Sequence, residues 1–197
     1  MNPAAQYLIT HSFWHHHYDV STINKTPLFH VANSAYTPGK PDLTFHRSTD
    51  SNGPIVGVCK FRHFSSDSEI GLGDPERPNK MDWGTLHKKG FMKHIYWFRI
   101  KLDNGTNQTF TWKRTHSLGS GHVNHKLVED TSQTVVAVFS SGGIFSKTTG
   151  YLDIYPSLGP RFNLMALISG IALVEKVRRG KQSSAGAGAA GGGGSGC

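Results

Sequence analysis

Phe162-Asn-Leu-Met-Ala-Leu-Ile-Ser-Gly-Ile-Ala-Leu-Val174 is the stretch on which the fold turns. Gly159-Pro160 precedes it, and proline suits a first helical turn because its missing N–H would be unpaired there anyway. Leu, Met and Ala are good helix formers. Lys176, Arg178 and Arg179 follow Glu175 and complement the negative end of a helix dipole, with Gly180 as the expected stop. A surface helix carries an apolar stripe, but this one is apolar on every side, so a bilayer or a protein core must surround it. These thirteen residues rise only about 20 Å. A bilayer core is ~30 Å thick, and a longer span would draw Asn163, Glu175 and Lys176 toward hydrocarbon. The sequence therefore predicts a core helix over about 161–178 and no transmembrane span.

The wall around such a helix must come from the preceding chain. Short apolar or alternating runs recur there: Tyr7–Thr10, Leu28–Asn33, Leu43–His46, Ile55–His63, Trp83–His87, Ile95–Leu102, Thr109–Thr115, His122–Val128, Val135–Phe139 and Tyr151–Tyr155. They are rich in Val, Ile, Thr and aromatic residues, which pack well on a pleated surface. Asn-Gly, Pro-Gly, Ser-Gly and Gly-Gly pairs separate them, so about ten strands at regular spacing argue for an all-β sandwich or barrel. The clearest hairpin is Ile95–Thr115. Tyr96, Phe98, Ile100 and Leu102 share one face of its first strand, and Trp97, Arg99 and Lys101 the other. Asp103-Asn104-Gly105 supplies the turn, where Asn and Gly tolerate positive φ. Ser65–Lys80 has little periodicity and reads as a long surface loop.

With 197 residues and 37% hydrophobic content the chain suits one domain with a sizeable core. The domain spans 1–180; residues 181–197, mostly Gly, Ala and Ser, cannot bury enough surface to order themselves and read as a disordered tail. The net charge is +8, which favours anionic partners. Residues 76–116 carry nine Lys/Arg against three Asp/Glu. The candidate anion- or lipid-binding set is Lys88, Lys89 and Lys93, flanking Gly90-Phe91, with Arg99, Lys101, Lys113 and Arg114 on the hairpin. Phe91 and Met92 would insert at a membrane interface. Nucleic acid is the competing anion, with Trp97 beside Arg99 able to stack on bases, but no recognised RNA- or DNA-binding motif accompanies it.

Catalytic and metal chemistry find less support. No nucleophile elbow, Walker loop or dinucleotide fingerprint is present. Of the two cysteines, Cys59 sits in an apolar run and reads as a small buried hydrophobe, while Cys197 ends the glycine tail and offers at most a lone palmitoylation site. Among the twelve histidines, His15-His16-His17 stands out. His15 and His17 would share a face of a strand, but Asp19 is the one close acid and a zinc site needs three or four ligands. His122 and His125 have helical spacing in a strand-like region. No metal, cofactor or catalytic residue is expected. No secretory signal is visible, so a cytoplasmic location follows, peripheral at a membrane if lipid is the ligand.

The layout of residues 1–179, with the paired strands Tyr96-Trp-Phe98 and Thr109-Phe-Thr-Trp-Lys113, the turn Asp103-Asn-Gly105 and Gly150-Tyr-Leu-Asp-Ile-Tyr155 before the helix, resembles the tubby C-terminal-like superfamily. That group holds tubby proteins, phospholipid scramblases and LURP-one-related proteins, and the likeness is nearest to small fungal proteins of this type. The resemblance implies a closed antiparallel barrel of ten to twelve strands around a central hydrophobic C-terminal helix. It implies a non-enzymatic binding module, for phosphoinositide or another anionic phospholipid or for an acidic partner, rather than an enzyme. A protein-interaction or structural barrel without a lipid ligand is the alternative. The acidic calcium-binding and cysteine-rich segments of scramblases have no counterpart here.

Overall fold

The computed structural model describes residues 2–12, 17–34, 37, 39–62, 65–90, 94–116, 123–142 and 148–188. Alternation of apolar and polar residues gives each strand an inner and an outer face, and twelve such strands curl into a closed barrel. They are β1 (Ala5–His11), β2 (Tyr18–Thr22), β3 (Pro27–Asn33), β4 (Leu43–His46), β5 (Ile55–Phe61), β6 (Ser68–Leu72), β7 (Asp82–Lys88), β8 (Ile95–Lys101), β9 (Asn107–His116), β10 (Val123–Glu129), β11 (Val135–Ser141) and β12 (Thr148–Ile154). Each pairs antiparallel with its neighbour in sequence, β7 and β8 only at His87–Trp97 and Lys88–Tyr96, and β12 returns to β1 with Ala5 opposite Ile154, which closes the ring. The helix α1 (Pro160–Gly188) follows. No helix among the described residues is long and apolar enough to cross a membrane.

Two strands were not predicted. Ser68–Leu72 lies within the expected Ser65–Lys80 loop, which also holds a 3-10 turn at Pro78–Lys80. Its inward side chains are Ser68, Ile70 and Leu72, and Ser68 and Gly71 dilute the apolar signal. β2 is equally short, with Tyr18 and Val20 as its inward anchors. The helix also passes Gly180, because this glycine keeps a helical rather than a left-handed backbone and cannot act as a stop. Residues 189–197 of the expected tail lie outside the described residues.

Because directions alternate, the strand ends form two rims. The N-rim carries the β2–β3, β4–β5, β6–β7, β8–β9 and β10–β11 turns and the start of α1; the C-rim carries the other connections and the point where α1 leaves the barrel. At the N-rim, Gly159 takes φ +94°, with the Asp103 carboxylate so close that a Cβ could not fit. Arg161 pairs with Asp82 and donates Nε–H to the Lys101 carbonyl at 2.8 Å.

Inside, helix and wall share one core. Phe162, Met165, Ala166, Leu167, Ile168, Ile171, Ala172 and Leu173 are buried together with Ile9, Val31, Phe45, Phe98, Phe110, Trp112, Phe139 and Leu152 of the wall. The Phe162 ring lies 4.8 Å from that of Phe110. Gly57 on β5 leaves room for Ile168, whose Cδ1 is 2.4 Å from where a Cβ would stand. Ser169 is the polar residue at mid-depth. Its Oγ accepts the Trp112 indole N–H at 3.0 Å and donates to the Met165 carbonyl at 2.8 Å.

At the C-rim the helix is locked by a buried carboxylate. Glu175 is fully buried. It accepts the Tyr18 hydroxyl at 2.5 Å, the Asn33 amide at 2.9 Å, and Arg178 and Arg179, each at 2.7 Å. Arg179 continues to Asp42 at 2.5 Å and to Asn33 Oδ1 at 2.9 Å. Lys176 donates to the Ser66 carbonyl and lies over the rings of Phe61 and Tyr96. The helix is thereby tied to β2, β3 and the connections before β4 and β6.

Burial alone would raise the Glu175 pKa, but its donors, Arg178 and Tyr18 foremost, outweigh burial and hold it at about 2. A folded pKa below the unfolded one means stability that is present above about pH 4.5 and is lost as the pH falls toward 2. Glu175→Ala should cost ~3–5 kcal/mol by leaving the two guanidiniums without their carboxylate. Urea titrations at pH 7 and pH 3 should show that loss shrinking at the lower pH. Ser169→Ala, which strands the buried Trp112 N–H, should cost ~1–3 kcal/mol independently of pH.

Candidate functional site

The hairpin β8–β9 follows the predicted alternation. Tyr96, Phe98, Ile100, Leu102, Phe110 and Trp112 point inward and are buried, and Trp97, Arg99 and Lys101 point outward. The candidate cations do not form one patch. Arg99 and Lys101 sit toward the N-rim, opposite Thr109 and Asn107. Lys88 ends β7 and Lys89 follows it at the C-rim, where Lys113 and Arg114 also approach on β9. Six strand steps separate Ile95 from Lys101, about 20 Å along the wall. Lys93, Phe91 and Met92 lie outside the described residues, as do His15, His16, His122 and Cys197.

Two basic residues join the C-rim group that the sequence reading did not include. Lys126 on β10 is directly opposite Lys113, and His94 precedes β8. Arg114 is paired across the same two strands with His125, which faces the barrel interior. Burial first, then the Arg114 and His94 charges, push the His125 pKa down to about 4, so it stays neutral at pH 7. Lys113 reaches Gln133 Oε1 at 3.3 Å. Among the described residues no carboxylate pairs with Lys89, Lys113, Arg114 or Lys126.

The acids of this wall lie at its other end. Asp82 begins β7, Asp103 sits in the β8–β9 turn, Glu129 ends β10 and Asp130 follows it. Each is engaged: Asp82 with Arg161, Asp103 with the Arg161 N–H, Asp130 with the Thr111 hydroxyl at 2.6 Å. Glu129 accepts the backbone N–H groups of Thr131 and Ser132, and Ser132 above all holds its pKa at about 2. The acids that strands β7–β10 themselves carry therefore stand toward the N-rim, together with Arg99, Lys101 and Arg161, while at the C-rim the near carboxylate is Asp67, from the connection before β6, which accepts the Lys88 N–H at 2.8 Å. Lys113 opposite Lys126 is a like-charge pair that a sheet gains nothing by keeping.

Beside this wall, His87 stacks on Trp97 with ring centroids 4.3 Å apart, and its Nδ1 lies 3.0 Å from Asp67 Oδ2. Cys59 is fully buried, which pushes its thiol pKa up and leaves it a core residue. On the opposite side of the ring, β2 and β3 bring His17, Asp19 and His30 together. The sequence paired His17 with His15 and showed Asp19 as the one close acid. It hid His30, which reaches them through the β2–β3 register.

No family model matches this chain, and no curated protein matches it either. A solved structure of an Arabidopsis thaliana protein is similar over 87% of this chain and 94% of that one, at 11% identity and a TM-score of 0.47.

Lys126→Glu should replace repulsion across β9–β10 with attraction. The expected gain is ~0.2–1 kcal/mol in thermal or urea unfolding at low salt, shrinking as salt screens the pair.

Proposed function

We propose that this protein is a non-enzymatic binding module that docks the C-rim of β7–β10 on an anionic phospholipid, with a phosphoinositide head group as the ligand. The segregation of charge along that wall carries the reading. The Lys113–Lys126 pair, with Lys88, Lys89, Arg114 and His94 at the same rim, is unfavourable until an anion offsets the charge. A phosphate supplies the oxygen acceptors that ammonium and guanidinium groups coordinate. Membership of the tubby C-terminal-like superfamily belongs to the same proposal, supported by twelve closed strands and a helix threaded through them. So does a cytoplasmic, membrane-peripheral location. Arg99 and Lys101 fall outside the docking surface, because they stand at the acidic end of the wall.

Co-flotation with phosphatidylcholine vesicles containing or lacking phosphatidylinositol bisphosphate tests the proposal. Binding should require the phosphoinositide and fall with salt. Each cation at an anionic surface contributes ~1 kcal/mol. Neutralising Lys89 and Arg114 together as Lys89→Gln and Arg114→Gln should therefore weaken binding about 30-fold, whereas Arg99→Gln and Lys101→Gln should have little effect. Equal, negligible flotation with both vesicles at low salt would remove the lipid reading and leave a barrel that recognises protein.

A further inference from the structure

The register of three adjacent strands gathers imidazoles and a carboxylate on the outer face of β2–β4. Asp19 on β2 is directly opposite His30 on β3, and His30 is directly opposite His46 on β4. His17 enters the row from two residues before Asp19 and shares its face. Asp19 divides its two oxygens between rings: Oδ2 is 3.2 Å from His17 Nε2, and Oδ1 is 3.3 Å from His30 Nδ1. The His17 and His30 ring centroids are 4.7 Å apart. One ligand atom from each of the three residues falls within 4.8 Å of the other two.

From this the geometry points to a binding site for a first-row divalent transition ion, held by His17 Nε2, Asp19 and His30 Nδ1. Bonds of ~2.0–2.1 Å in a tetrahedral shell place neighbouring ligand atoms about 3.4 Å apart. His17 Nε2 and His30 Nδ1 each already stand at that spacing from a carboxylate oxygen, the first from Oδ2 and the second from Oδ1, and turning the carboxylate and the rings brings three ligand atoms that lie within 4.8 Å of one another onto one ion. Each ring presents a lone pair to the ion: a neutral imidazole moves its proton to the other nitrogen, and a protonated one releases one proton to solvent.

The surroundings favour a partly open site. The side chains of His17 and His30 are 22% and 13% exposed and that of Asp19 is 52% exposed, so the rings are held while the carboxylate edge faces solvent. His46 flanks His30 at a ring-centroid distance of 6.2 Å. Its Nδ1 donates to the Gly53 carbonyl at 3.0 Å, which makes Nε2 the nitrogen with the lone pair. Two nitrogen donors and one carboxylate select Zn²⁺, Co²⁺ or Ni²⁺ over the hard ions Ca²⁺ and Mg²⁺.

The test is titration of the full chain, carrying Cys197→Ser to remove the terminal thiol, with Zn²⁺ by calorimetry and with Co²⁺ by visible absorption. One ion should bind per chain at micromolar or tighter affinity, without competition from millimolar Ca²⁺. Loss of an outer-shell partner costs ~10–100-fold in metal affinity, so His30→Gln and Asp19→Asn should each weaken binding about 100-fold or more. Circular dichroism checks that both variants fold. Should either fail to fold, the imidazole nitrogen spectrum of the unsubstituted histidines decides. Shifts at His17 and His30 on adding Zn²⁺ support the site; shifts confined to other histidines overturn it. Absence of stoichiometric binding, or affinity unchanged in His30→Gln, overturns it as well.

Discussion

A helix that is apolar on every side must be enclosed, and the architecture follows from that requirement. Side chains alone fill a barrel of about eight strands. Twelve strands leave room for a helix, whose diameter with side chains is about 10–12 Å. The inner faces of the strands are committed to one shared core, in which Phe110 meets Phe162, Trp112 meets Ser169 and Phe139 lies against Gly170. β1 must also find β12, because an open seam would expose both the core and two unpaired edges. With the interior spent on packing, recognition is left to the outer face and the rims.

The enclosure creates a polar problem that Glu175 resolves. An apolar plug could slide or rotate with little penalty, since dispersion contacts are not directional. A buried carboxylate accepting from Tyr18, Asn33, Arg178 and Arg179 fixes both depth and azimuth, because each donor comes from a definite place on the rim or on the helix itself. Arg179 carries the restraint outward to Asp42, whose other oxygen accepts the Phe61 N–H. Ser169 does the same at mid-depth through Trp112. The helix is apolar where it needs volume filled and polar where it needs one position specified.

Much of the fold could be read from one-dimensional pattern. The helix was legible because thirteen residues are too few for a bilayer and too uniformly apolar for a surface. The β8–β9 hairpin was legible because Tyr96, Phe98 and Ile100 alternate with Trp97, Arg99 and Lys101 about a turn with an obvious Asn-Gly. β6 was not, since Ser68 and Gly71 replace apolar residues where the neighbouring strands supply the packing. β2 was masked by its brevity and by the histidine run before it. Gly180 misled because a glycine stops a helix only when the chain needs a left-handed residue there.

The candidate sites were harder to read for one physical reason: both depend on cross-strand register, which the sequence does not display. Arg99 and Lys101 are close to Lys89 in number and belong to the other rim. Lys126 is far from Lys113 in number and stands directly opposite it. His30 meets Asp19 only because β2 and β3 pair with Tyr18 against Val31. In a ring of twelve, β3 and β9 are six strands apart and so lie on opposite sides. A membrane held by the β7–β10 rim would therefore leave the β2–β4 histidines uncovered. The two surfaces can be occupied independently, and charge removed from one wall should not be felt at the other beyond the Debye length of about 10 Å.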